Sequence, residues 1–172
     1  EEQRLLLTFS RELLGPLDSH KVVRSGTEYR QAFRWRNGSL RAARLWRPAE
    51  RPTLPELLNM LFDLPAGRFV EHIVLSQTWW GDSIGYTEAV RVLEARAPKT
   101  FSSLQLAESS DAVPGDVERA MRLPGLKRFR VRYQPLELGD VGASQLEELA
   151  LDLAHPNPPV LHSFQRPDRR EL

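Results

Sequence analysis

Five short segments of this chain share one spelling: a large apolar residue, two variable residues, an apolar residue, one variable residue, an apolar residue. They are Leu40-Arg-Ala-Ala43-Arg-Leu45, Val70-Glu-His-Ile73-Val-Leu75, Phe101-Ser-Ser-Leu104-Gln-Leu106, Leu126-Lys-Arg-Phe129-Arg-Val131 and Leu146-Glu-Glu-Leu149-Ala-Leu151. Their starts lie 30, 31, 25 and 20 residues apart. A unit this short cannot bury its apolar side alone, so copies must stack and shelter one another. The last two anchors of each segment alternate with variable residues, which is the period of a strand. The expectation is a solenoid of stacked coils with one strand per coil.

The connectors agree. Leu54 to Leu64 places Leu54, Leu57, Leu58, Leu61 and Phe62 on one helical face, with Pro65 just beyond. Thr87 to Ala97 does the same with Ala89, Val90, Leu93 and Ala97, then Pro98. Gly115 to Leu123 carries Val117, Ala120, Met121 and Leu123, then Pro124. Proline cannot continue a helix, so each helix ends shortly before the next strand. Helix between strands makes the strands parallel and the crossovers right-handed. The fold class expected is α/β, with a parallel β-sheet on the concave side and helices on the convex side.

Upstream, Leu5, Leu6, Phe9, Leu13 and Leu14 predict an amphipathic helix over residues 4–14, stopped by Gly15-Pro16. Residues 17–28 read as a loop. Tyr29 to Arg36 reads as one strand, and Asn37-Gly38 as a hairpin turn into Leu40 to Trp46, because a type I′ turn needs positive φ at both central residues. The division expected is a helix and β-hairpin cap over residues 1–38, the solenoid over 39–164 and a flexible tail over 165–172. Between Val131 and Leu146 there is room for a turn only, and His155-Pro156-Asn157-Pro158-Pro159 cannot hold regular structure.

Several stretches resemble a set of large bacterial leucine-rich-repeat-like proteins. They are Glu12-Leu-Leu-Gly-Pro-Leu17, Phe33-Arg-Trp35-Arg-Asn-Gly38-Ser-Leu-Arg41 and Leu64-Pro-Ala-Gly-Arg-Phe69. The resemblance covers residues 10–155. It implies the leucine-rich-repeat fold, with variable repeat length, and a binding role, and it carries no catalytic residue. In that family a small helical region precedes the helix seen here, and this sequence starts without it.

Composition narrows the chemistry. Lys plus Arg number 24 against 23 Asp plus Glu, so no global charge drives the chain toward nucleic acid or an anionic membrane. Only Lys21, Lys99 and Lys127 are lysines, which suits a high-GC coding bias as well as recognition. Cysteine is absent, which excludes disulfides, thiolate metal sites and a cysteine nucleophile, and fits a reducing cytoplasm. No apolar run is long enough for a membrane span, and Glu1-Glu2-Gln3-Arg4 does not open a signal peptide.

No phosphate-cradling G-x-x-x-x-G-K or G-x-G-x-x-G motif occurs. The histidines, His20, His72, His155 and His162, do not pair at helical metal-ligand spacing. His155 and His162 could meet Asp152 in a hydrolase-like cluster, the weakest alternative. His72 reads as a solvated surface histidine. Glu148 and Asp152 share a strand face but stand about 13 Å apart at strand rise, too far for a glycosidase pair. The chain is expected to be non-enzymatic, with no cofactor and no metal.

The concave face is the candidate site. Its outward positions are Ala42, Arg44, Trp46; His72, Val74, Ser76; Ser103, Gln105, Ala107; Arg128, Arg130, Arg132; and Glu148, Ala150, Asp152. In an in-register ladder Arg128 faces Glu148 and Arg132 faces Asp152, and two cross-strand ion pairs are expected. Arg130 faces Ala150 and is the sharper candidate for capturing an acidic protein segment. The binding residues expected on this face are Arg44, Trp46, His72, Gln105, Arg128, Arg130 and Arg132. A second set, Trp79, Trp80 and Tyr86, is expected on an exposed loop, where aromatics anchor partners. The function expected is protein–protein interaction. Nucleic-acid binding through the arginine row is the alternative, disfavoured by the interleaved acids.

Overall fold

A computed structural model describes residues 8–25, 28–47, 52–77, 84–107, 114–133 and 145–153. The expected flexible tail, and with it His155 and His162, lies outside them. The expected turn between Val131 and Leu146 is likewise almost wholly outside.

The chain is α/β. Six strands form one mostly parallel sheet in the order of the sequence: β3 (Phe33–Arg36), β4 (Ser39–Arg47), β5 (His72–Gln77), β6 (Ser103–Ala107), β7 (Arg128–Tyr133) and β8 (Glu148–Leu153). Only β3 runs antiparallel to its neighbour; the pairs from β4 to β8 are parallel. Registration follows the repeated spelling. Ala43, Ile73, Leu104, Phe129 and Leu149 stand side by side, as do Leu45, Leu75, Leu106, Val131 and Leu151. The first anchors, Leu40, Val70, Phe101, Leu126 and Leu146, join the same buried cluster.

Among the described residues there are four α-helices: α1 (Ser10–Leu14), α2 (Leu54–Asp63), α3 (Ile84–Arg96) and α4 (Pro114–Met121). Helix α2 forms where it does because Thr53 caps it. The Thr53 hydroxyl accepts from the Glu56 amide at 3.4 Å, while the Glu56 carboxylate accepts from the Thr53 amide at 2.7 Å. Leu54, Leu57, Leu58 and Leu61 then recur at helical spacing and are buried. Successive helices contact one another, α2 with α3 and α3 with α4. Arg96 ties the first pair, donating to Asn59 and Asp63 at 2.7 Å each. Arg119 ties the second through a bidentate grip on Glu94, both bonds 2.6 Å. Their inner residues and the sheet anchors form one core, which leaves the opposite sheet face free of helices among the described residues. No helix among the described residues is long and apolar enough to cross a membrane.

The N-terminal region departs from expectation. A 3₁₀-helix (Gly15–His20) runs from the expected helix stop into the segment read as a loop, which also contains a strand, β1 (Val22–Ser25). The segment read as one strand is two, β2 (Glu28–Gln31) and β3, with β2 paired to β1 in a separate antiparallel sheet. The switch falls at Ala32. Its amide donates to the Lys21 carbonyl at 2.8 Å and its carbonyl accepts from the Arg44 amide at 2.6 Å. One residue thus satisfies its backbone groups on two different sheets, which ends one ladder and begins the other. The turn is as expected, with Asn37 at φ 52° and Gly38 at φ 69°. A register shift between Arg34 and Trp35 marks a bulge on this edge strand.

Candidate functional site

Side chains alternate across the sheet, so the residues between the core anchors form rows on the helix-free face. The first row is Arg34, Ala42, His72, Ser103, Arg128 and Glu148, one residue from each strand in order. The second is Arg44, Val74, Gln105, Arg130 and Ala150. The third holds Trp46, Ser76 and Ala107. Every expected face residue on β4 to β7 therefore occupies the register position assigned to it. Arg132 stands opposite Asp152 in register, but both side chains lie outside the described set.

A groove of about 720 Å³ crosses this face. Arg34, Arg36, Arg41, Arg128 and Arg130 line it, with His72, Ser103, Gln105 and the acids Glu71 and Glu148. A smaller hollow of about 230 Å³ adjoins it, bounded by Gln31, Arg34, Arg44, His72 and Val74. Val74, Ser76 and Ser103 are buried although they face this side, so they form the floor of the face and the longer side chains around them its walls.

The charges do not cancel as expected. Arg128 and Glu148 are registered neighbours, yet no ion pair or hydrogen bond joins them. The cross-strand pairs form instead one residue upstream, at the strand entries: Lys127 with Glu147 at 2.9 Å, and Arg41 with Glu71. Glu71 is therefore committed to Arg41. Among the described residues, Arg34, Arg36, Arg44 and Arg128 have no carboxylate within ion-pair distance.

His72 is not the solvated histidine that alternation alone suggests. It is half-buried, and its Nδ1 lies 2.7 Å from the Ser103 Oγ across the β5–β6 pair. Burial lowers its pKa from the ordinary value, and Arg128, Arg44 and Arg34 lower it further by repelling the protonated ring. Burial first, and the neighbouring cations second, disfavour the protonated ring.

The second expected set divides. Trp79 and Trp80 lie outside the described residues. Tyr86 is corrected: helix α3 starts at Ile84, upstream of the expected Thr87, so Tyr86 is on the helix and not on a loop rim. It is 2% exposed, and its hydroxyl donates to the Ala107 carbonyl at 3.1 Å. A buried tyrosine needs a partner for its hydroxyl, and the end of β6 supplies one. Trp46 is half-buried against the core, so only part of its ring is offered to the face.

Arg34 and Arg36 are not among the expected binding residues. The Phe33-Arg-Trp35-Arg36 alternation opposite an Asn-Gly turn is the signal that points to them, since Arg34 must fall beside Ala42 once the hairpin closes. Ser103 is on the expected outward row, but its meeting with His72 depends on side-chain geometry. Among the described residues no group of three or more His, Cys, Asp or Glu converges as a metal centre requires. No protein-family model, no curated protein and no solved structure matches the chain.

Proposed function

We propose that this chain is a short leucine-rich-repeat-like solenoid working as a non-catalytic protein-interaction module, with the helix-free sheet face taking an acidic segment of a partner protein. The order of the strands and their in-register anchors support the architecture. The observation that carries the binding role is the groove with Arg34, Arg36 and Arg128 on it and, among the described residues, no carboxylate paired to any of the three. Guanidinium groups spread over β3 and β7 suit an extended acidic strand of chain better than a single small ion, because each can grip one carboxylate in a bidentate fork. Trp79 and Trp80 are retained on sequence grounds as an aromatic anchor beside it. The lack of cysteine suits a partner met in the cytoplasm.

The test is fluorescence anisotropy with a labelled oligoglutamate peptide, an oligolysine peptide and a short oligothymidylate. Saturable binding of oligoglutamate is expected, weakened about tenfold or more by Arg34→Gln with Arg128→Gln while the Tm stays unchanged. Absence of oligoglutamate binding, or indifference to the double substitution, would overturn the reading. Tighter binding of oligothymidylate, with a steep loss on added salt, would favour nucleic acid instead.

A further inference from the structure

The first row of the open face contains more than an acidic segment requires. A carboxylate is satisfied by one arginine fork. Here two cations flank a hydroxyl and an imidazole: Arg34 and Arg128 at either end, His72 and Ser103 between them, all in one register row. Ala42 occupies the row between Arg34 and His72, so that part of the floor has no long side chain. Arg34 and Arg128 each stand two strands from His72, about 10 Å at ordinary strand spacing. Arg34 and Arg128 line the same groove as His72 and Ser103.

We propose that Arg34, His72, Ser103 and Arg128 form a receptor for a phosphoryl group carried on the partner segment. The inference rests on the protein-binding reading and names the modification it recognises. A phosphate monoester presents three acceptor oxygens and close to two negative charges. The row offers matching donors from both ends and from its floor, which is how arginine clusters select phosphorylated segments.

The His72–Ser103 hydrogen bond gives the site its response. In this proposal the neutral ring carries its hydrogen on Nε2, so that Nδ1, 2.7 Å from Ser103 Oγ, accepts from the hydroxyl and that hydrogen is not available to a ligand. When a dianion arrives, the ring takes a proton from solvent. Nδ1–H then donates to Ser103 Oγ, the Ser103 hydrogen is released toward the phosphoryl oxygen, and Nε2–H, present in the neutral ring as well, donates from a cationic ring. The cations acting on the ring are Arg34 from β3, Arg44 from β4 and Arg128 from β7, and Arg36, Arg41 and Arg130 line the same groove. Glu71, engaged by Arg41, and Glu148 are the acids on the same groove. Ser103 contributes no charge from β6. Burial and these cations disfavour the protonated ring, and an anion placed among them offsets the repulsion.

The experiment uses one acidic peptide in three forms, with Ser, Glu or phosphoserine at the centre, followed by anisotropy. Inorganic phosphate is added separately while the His72 ring is followed by NMR. The phosphoserine form is expected to bind at least tenfold tighter than the Glu form. Ser103→Ala and Arg128→Gln should each erase that difference while leaving Glu-peptide binding within about threefold for Ser103→Ala. Phosphate should raise the His72 titration midpoint. If the Glu and phosphoserine forms bind equally, or phosphate leaves the His72 midpoint in place, the receptor is overturned while the protein-binding reading stands. If none of the three peptides binds, both fall. Binding of phosphate alone, with no gain from phosphoserine in the peptide, would mean recognition of the free ion and would also overturn it.

Discussion

His72 on β5 and Ser103 on β6 are register partners, and their side chains meet across the strand pair at 2.7 Å. Both residues line a groove that Arg34, Arg36, Arg41, Arg128 and Arg130 also line. It is the place where the fold and the proposed binding role become one question.

That contact predicts a pH dependence. The His72 pKa is lowered by burial and by Arg128, Arg44 and Arg34, so the unfolded chain takes up a proton at higher pH than the folded one. Stability is therefore fully present above about pH 6.5, the unfolded value, and declines as pH falls below it toward the folded value. Urea unfolding midpoints of the wild-type protein should drop over that window. His72→Gln should reduce the drop. A midpoint equally pH-dependent in the variant would exclude His72 as its source.

The stacked anchors predict a steep cost of truncation. Leu75 is fully buried and stands between Leu45 and Leu106. Leu75→Ala should cost about 2–5 kcal/mol, because the flanking strands are hydrogen-bonded in place and cannot collapse into the cavity. A loss under about 1 kcal/mol by urea unfolding would show that the anchors do not share one rigid core.

Gly67 predicts a backbone collision. A Cβ there would lie 1.9 Å from the Leu61 carbonyl oxygen at the end of α2. Neither group is the tip of a flexible side chain, so the 3₁₀-helix (Pro65–Phe69) must shift. Gly67→Ala should therefore destabilise by about 1–3 kcal/mol, an overpacking cost, where a free surface glycine would gain from the same change. Thermal unfolding would decide the sign.

The Thr53–Glu56 capping box predicts a smaller, local effect. Thr53→Ala removes the acceptor of the Glu56 amide and should cost about 1 kcal/mol. Hydrogen exchange should rise at the first turn of α2 before it rises in β5.

Part of this fold is legible in the residue pattern alone. The periodic anchors place Leu45, Leu75, Leu106 and Val131 side by side. The helix–proline–strand order separates the strands with α2, α3 and α4, and Asn37-Gly38 marks the turn. These depend on local period and on backbone freedoms that a residue carries with it. Other features are not legible there. Ala32 changes sheets because Lys21 and Arg44 come to either side of it, and the sequence around Ala32 does not contain that choice. Tyr86 is buried in the core, and its hydroxyl finds a carbonyl only where β6 happens to end. Arg128 leaves Glu148 unpaired although register sets them opposite.

The amino-acid order alone determined which residues anchor the core and in what succession their strands lie, because those follow from spacing along the chain. Tertiary structure alone decided which side chains touch: His72 with Ser103, Lys127 with Glu147, Arg41 with Glu71. Contact between residues tens of positions apart depends on the direction and rotamer of each side chain once the strands are in register, and no local pattern encodes that.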